Sequence, residues 1–222
     1  MTLTTEKINE LIGVKESYQA SDALMAILFD KAKREKMFKS FLEIEWRLDH
    51  DWFHAYFEEE HANKKKYAQD FTPDSISKLL AKIAGSSSSN LDVAAGTGSL
   101  MIQKWNQDRL SISPFEYRPS LFFYQCEELS DRALPFLLFN LLIRGMNATV
   151  VHGDALSREA KQAYFLQNDK NDPVSFSNLN VMPHSPIAER EFDISKWLEK
   201  PLKHIESPKI IIDSEKEQLS LF

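Results

Sequence analysis

Asp92, the glycines Gly96 and Gly98, the acids Glu127 and Glu128, and Asp154 stand at the ends of three apolar runs, LDVAAGTGSL, LFFYQCEE and ATVVHGDAL. Glycines at 96 and 98 let the chain turn sharply and leave bare main chain for a ligand to approach. The backbone donors of the helix that follows would face such a ligand. A carboxylate at the end of the second run can accept from both hydroxyls of a ribose, and Asp154 can accept from the exocyclic amine of an adenine ring. Convergence of the three on one sheet edge points to an adenosine-containing ligand.

These residues need a sheet to bring them together. The order helix, strand, helix, strand, helix, strand across residues 67–156 predicts an α/β fold, a doubly wound, mostly parallel, Rossmann-like sheet with ligands at the carboxyl ends of its strands. The continuous apolar character of LFFYQC predicts a strand covered on both faces, with Cys126 a small buried residue of it. Thr72 caps a helix whose first position is Pro73, Gly85 ends that helix, and GSSSSN links it to the strand at Leu91. A further helix runs from about Asp131 to Arg144 and closes at Gly145.

Residues 5–61 read as helical, with Trp46, Trp52, Phe53, Tyr56 and Phe57 forming an aromatic packing stripe. His50 and His54 fall four apart on that reading, a spacing open to a metal but without a third ligand; no metal is expected. The domain organisation expected is a helical segment at 1–66, a nucleotide-binding domain at 67–213 and a flexible peptide at 214–222.

Of 222 residues, 43% are hydrophobic and 27% charged, the range of a soluble globular chain able to bury a sizeable core. A net charge of -6 excludes a generally basic nucleic-acid surface, so any DNA contact is local or lent by a partner. Lys64, Lys65 and Lys66 form the densest basic cluster and read as a solvated loop. One cysteine excludes an internal disulfide. The sequence shows neither a signal peptide nor a membrane span, and the expected location is the cytoplasm.

Taken together, the helix end FHAYFEEEHA, QDFTP at residues 69–73, DVAAGTGSL and GDAL resemble, in this chain order, the amino-methylating DNA methyltransferases, above all the modification subunit of type I restriction systems. The resemblance spans about residues 50–156. It implies S-adenosylmethionine as cofactor, with QDFTP standing where that family has QFFTP. On this alignment Phe71, Thr72, Pro73, Asp92, Ala94, Gly96, Gly98, Glu128, Asp154 and Ala155 would hold the cofactor, the match at Asn140 and Gly145 selecting Glu128 over Glu127. A dinucleotide-binding dehydrogenase would need a third glycine where this chain has Met101.

The family's catalytic motif is an asparagine or aspartate, two prolines and an aromatic; its acceptors make the target amine more nucleophilic while the aromatic stacks on a flipped base. The comparable stretch here is SNLNVMPHS. Asn180 as acceptor leaves Val181 and Met182 at both proline positions, and Pro183 with His184 as proline and aromatic leaves Val181 in the acceptor's place. Asp172 and Pro173 are followed by Val174 and Ser175 instead of a second proline and an aromatic. The resemblance therefore implies a degenerate catalytic site at Asn180, Pro183 and His184. Two functions follow as expectations: an adenine-methylating enzyme, or a methyltransferase-like binding protein that has lost catalysis.

The last five residues, Gln218, Leu219, Ser220, Leu221 and Phe222, resemble the QL(S/D)LF peptide by which replication and repair proteins dock on the bacterial sliding clamp. Leu219, Leu221 and Phe222 would fill a hydrophobic cleft and Gln218 would supply amide hydrogen bonds. The expected partners are DNA through a second chain, the clamp, and a specificity subunit or another copy of this chain.

Overall fold

The computed structural model describes residues 3–57, 74–84, 89–207, 212–213 and 218–219. Phe71, Thr72, Pro73, the 64–66 lysines, Leu221 and Phe222 lie outside them.

Three N-terminal helices come first: α1 (Thr5–Ile12), capped by the Thr4 side chain and closed by Gly13 at φ 85, α2 (Ala20–Leu28), and α3 (Lys31–Ile44), capped by Asp30. Helix α4 (Asp74–Ala84) leads into strand β1 (Ser89–Asp92), followed by α5 (Ser99–Leu110), β2 (Phe123–Glu128), α6 (Leu134–Ile143) and β3 (Ala148–Asp154). Strands β4 (Glu159–Gln167) and β5 (Asn178–Val181), helix α7 (Pro186–Glu191) and a short β6 (Lys196–Trp197) complete the sheet. Its order is β1-β2-β3-β4-β5, with β6 beside β4. The β1–β2, β2–β3 and β4–β6 pairs are parallel, and β3–β4 and β4–β5 antiparallel. The fold is α/β with a mostly parallel, Rossmann-like sheet.

Two features differ from the sequence expectation. Helix α3 ends at Ile44, and residues 45–53 are not helical, so His50 and His54 do not share a helix. The reason is a hydrogen-bond demand from elsewhere: the carbonyls of Leu48 and His50 accept from the Arg144 guanidinium at 2.8 and 2.6 Å, which an intrahelical carbonyl could not do as freely. No metal-binding group of three or more acids, histidines or cysteines occurs among the described residues. After β3 the chain turns back as β4 instead of crossing over the sheet, with a register shift between His152 and Gly153.

Helical cover is unequal on the two faces. Tyr124 of β2 donates to Asp108 of α5 at 3.1 Å, and Cys126, Ala148 and Val150 share a buried cluster with α6, so α5 and α6 lie on one face. The N-terminal helices cover the same face over β4, where Phe29 meets the Tyr164 ring at 6.5 Å. Their aromatic residues lock onto α6 through edge contacts of Phe38 and Phe41 with Phe139, both at 4.8 Å, and of Phe53 with Phe136 at 4.8 Å. The opposite face carries a smaller cluster of Val151, Ala163, Phe165 and Ile194, packed by Phe192 just after α7. Leu91 stays 58% exposed there, so the sheet is not covered on both faces at β1.

No helix among the described residues is long and apolar enough to cross a membrane. Near the end, Gln218–Leu219 pairs antiparallel with Ile212–Asp213 as a separate two-stranded element.

Candidate functional site

Parallel β1, β2 and β3 bring Asp92, Glu128 and Asp154 to one edge of the sheet. At the turn after β1, Gly96 has φ 56 and Gly98 φ 94, the left-handed region. A Cβ at Gly98 would lie 2.9 Å from Leu137 Cδ1, so this glycine serves the close packing of α5 on α6 as well as the turn. No side chain caps the start of α5. Its first backbone donors therefore face the mouth of the turn.

The Glu128 carboxylate closes onto this turn. Its Oε2 accepts from Gly96 N at 2.6 Å and its Oε1 from Ser130 N at 2.7 Å. Burial pushes its carboxyl up, and the charge of Asp92 adds to the effect. Burial likewise raises Asp92, against a hydrogen bond from Ala94 N at 3.1 Å. Glu127 is engaged elsewhere: Arg158 grips it with two hydrogen bonds, at 2.7 and 3.2 Å. Of the two acids at this strand end, Glu128 is the one directed at the glycine turn. Asp154 accepts from Leu156 N at 2.9 Å, and that bond, then Ser157, holds its carboxyl below the usual range. Ala94 is exposed and Ala155 half-buried beside these acids.

Because a raised acid carries its charge at a cost, stability falls as pH rises from the ordinary aspartate value through the raised one. Asp92→Asn keeps one acceptor for Ala94 N and removes the buried charge. It should melt at a higher temperature than wild type at pH 7, a gain that disappears below about pH 4. Thermal unfolding across pH checks this; a lower melting temperature at pH 7 would show that the charge supports the fold.

Two apolar side chains flank the acids, and sequence reasoning passed over them. Leu129 is 61% and Leu156 95% exposed, each next to or near a site carboxylate, where a planar ring could be held between apolar walls. The signal available in the sequence was their place, Leu129 directly after Glu128 and Leu156 two residues after Asp154. Asp51 was also missed. Its Oδ2 accepts from the hydroxyls of Thr97 and of Ser99, the latter at 2.7 Å, and its Oδ1 from Asn140 Nδ2 and Phe53 N, both at 2.9 Å. Thr97, between the two glycines, thus points inward to Asp51 and not toward a ligand.

The degenerate catalytic residues are not brought to this turn. Asn180 lies on β5, at the opposite end of the strand order from β1, about 19 Å away at four strand spacings. Its amide is fully buried and spent: Oδ1 accepts from Glu206 N and Ser207 N at 2.9 and 3.0 Å, and Nδ2 donates to the Phe165 carbonyl and Ser207 Oγ, each at 3.1 Å. These bonds fasten residues 204–207 along the outer side of β5, where Val181 N also donates to the His204 carbonyl at 2.8 Å. Pro183 follows β5, and His184 stacks on Trp197 at 3.7 Å, its imidazole lowered by burial. The antiparallel return of β4 is what carries this stretch away from β1.

The arrangement as a whole is a glycine turn with free helix-start donors, two desolvated carboxylates beside it, a third acid one strand further on and apolar side chains between them. Such a set can hold a molecule with a diol, a planar ring and a cationic end. Compared with known proteins, residues 50–195 match the family model described as N-6 DNA methylase, more than half of the chain. No curated protein and no solved structure matches the chain.

Proposed function

Because the chain belongs to the N-6 DNA methylase family, we propose that it binds S-adenosylmethionine at the carboxyl edge of β1, β2 and β3. The observation that carries this reading is the Glu128 carboxylate, desolvated and set against the backbone of Gly96, in the chemistry a ribose diol requires. Glu128 would take the ribose, Asp154 and Ala155 the adenine edge, Leu129 and Leu156 its faces, and Asp92, Ala94, Gly96 and Gly98 the methionine end, joined by Phe71, Thr72 and Pro73. A positively charged sulfonium suits the two acids. The group supplies an electrophilic methyl when bound; the chain's part is to orient it and exclude water from it.

Methyl transfer to the exocyclic amine of adenine in DNA is the activity of the family. In this chain the groups that would accept from that amine are spent structurally on β5, which favours the second reading, a cofactor-binding protein with little methylating activity of its own. Calorimetry with S-adenosylmethionine should show binding by the wild type. Gly96→Val, a branched side chain at a left-handed glycine, and Asp154→Ala should weaken it at least tenfold without unfolding the chain. Equal affinity in wild type and both variants removes this assignment. A transfer assay on unmethylated DNA should give little product; robust turnover abolished by Asn180→Ala would return the site to β5.

The terminal QLSLF supports recruitment by the sliding clamp, which would hold an acidic chain on DNA. Since Gln218 and Leu219 pair with Ile212 and Asp213, docking requires that short pairing to open. Deleting residues 218–222 should abolish clamp binding and leave cofactor affinity unchanged.

A further inference from the structure

The two acids that end β2 leave the strand on opposite faces, because successive side chains of a strand alternate. Glu128 serves the glycine turn, while Glu127 stands on the sheet face turned away from α5 and α6. On that second face a cavity of about 270 Å³ opens to solvent. Its floor is in register: Leu91 of β1, Gln125 of β2 and Thr149 of β3 are direct cross-strand neighbours. Val93, Val151 and Phe192 add apolar surface around them. A wall comes from the end of α7, fixed to the floor by Arg158, which grips Glu127 and donates to the Phe192 and Asp193 carbonyls at 2.6 and 2.8 Å. The chain's own bonds thus shape the cavity before any ligand arrives.

Two polar side chains of this floor are idle. Thr149 is only 6% exposed, yet its hydroxyl makes no hydrogen bond among the described residues, and the half-buried Gln125 amide beside it makes none either. Buried polar groups are normally satisfied, so this pair asks for a partner from outside the chain. An amide presents one donor and one acceptor together. Its complement is an edge with an amine beside a ring nitrogen, as on adenine and cytosine. The hydroxyl can add a third bond, and the apolar lining suits the faces of a flat ring.

Size and charge narrow the occupant further. A cavity of about 270 Å³ is below the ~300 Å³ at which pockets for drug-sized molecules begin, so it suits a single base. Three acids, Glu127, Glu191 and Asp193, line it against one cation, and that cation, Arg158, is already spent on Glu127 and on backbone carbonyls. A phosphate would meet repulsion and no free partner. We infer that this cavity binds a free amine-bearing nucleobase or its nucleoside, and not a nucleotide or a nucleic-acid strand, with Gln125 and Thr149 reading the edge of the base. The site lies back to back with the glycine turn across the sheet, and it stands whatever ligand that turn holds.

Titration of the purified full chain with cytosine and with adenine, followed by amide chemical shifts, tests this. At least one base should bind with a dissociation constant below about 1 mM. The same ring without its amine, 2-pyrimidinone or purine, should bind at least tenfold more weakly, because the Gln125 acceptor is then left unpaired. Gln125→Met and Thr149→Val keep most of the side-chain bulk and remove the polar groups, and each should weaken the base at least tenfold. Neither should melt below wild type, since neither loses a hydrogen bond within the chain. Adenine is also part of the proposed cofactor, so its binding counts for this cavity only where Gln125→Met removes it. Cytosine is not part of that cofactor, so its titration and the S-adenosylmethionine calorimetry succeed or fail separately. The inference fails if neither base binds, which leaves both groups to water, if the amine-free rings bind as tightly, or if both variants bind the base like wild type. Lower melting temperatures in both variants would also overturn it, by showing that the two groups serve the fold.

Discussion

Replacing Asp51 by alanine should cost about 3–5 kcal/mol of stability, on the scale of charge-assisted hydrogen bonds lost from buried donors. Four donors converge on this carboxylate: the hydroxyls of Thr97 and Ser99, the amide of Asn140 and the backbone of Phe53. Asn140 in turn donates to the Thr97 carbonyl at 2.8 Å and accepts from Arg144 at 2.9 Å, while Arg144 reaches the carbonyls of Leu48 and His50. Asp51 is thereby the joint between the N-terminal residues, the glycine turn and α6. Removing it leaves buried donors without acceptors in three elements at once. Urea unfolding should show a midpoint lowered by a large part of the total, since domains are stable by only about 5–15 kcal/mol. Asp51→Asn should lie between, because its amide can accept from one donor set and opposes the other. A wild-type midpoint in Asp51→Ala would mean the network is ornamental.

The second large effect is expected at Arg34. Its guanidinium meets Glu206 through two hydrogen bonds, at 2.8 and 2.6 Å, with neither side chain accessible beyond 6%. Glu206 also accepts from Leu179 N and faces His204 Nε2, each at 2.9 Å. The pair ties α3 to the segment that lines β5. Arg34→Ala strands a buried carboxylate and should cost about 3–5 kcal/mol, whereas Arg34→Met combined with Glu206→Leu should recover most of that loss. A double variant as unstable as the single one would show that the charge pair itself, and not its volume, holds the segment.

The pH dependence has a definite sign. Burial alone would raise the Glu206 carboxyl, but the hydrogen bond from Arg34, then that from Leu179, hold it below the ordinary 4.5. Its contribution is therefore complete above that value and lost as pH falls through the lower, folded one. The Arg34→Met, Glu206→Leu double variant should lack this part of the acid-induced loss.

What the sequence made legible was its punctuation. Strands β2 and β3 are apolar runs ended by Glu127 with Glu128 and by Gly153 with Asp154, so their positions and the shared edge followed from residue type; β1 starts earlier than expected, at Ser89, inside the GSSSSN stretch read as a link. Strand β4 was not visible because EAKQAYFLQ mixes polar and aromatic residues, and its flanking turns use no glycine: Arg158 and Asn171 take positive φ themselves. The helix through Trp46 was overextended because the demand that breaks it comes from Arg144, about a hundred residues later in the chain. Asp51 could not be found locally for the same reason. Its side-chain partners stand 46, 48 and 89 positions away.

Cys126 offers a clock for the site. It lies opposite Asp92 in the β1–β2 register and is wholly buried, with its thiol pushed well up by burial and by the two neighbouring acids. Buried in the cluster it shares with α6, this residue meets a thiol reagent only when the fold around it opens. The rate of labelling therefore counts those openings directly, one strand from the glycine turn. A ligand held at that turn should slow the count by the same factor by which it stabilises the closed edge.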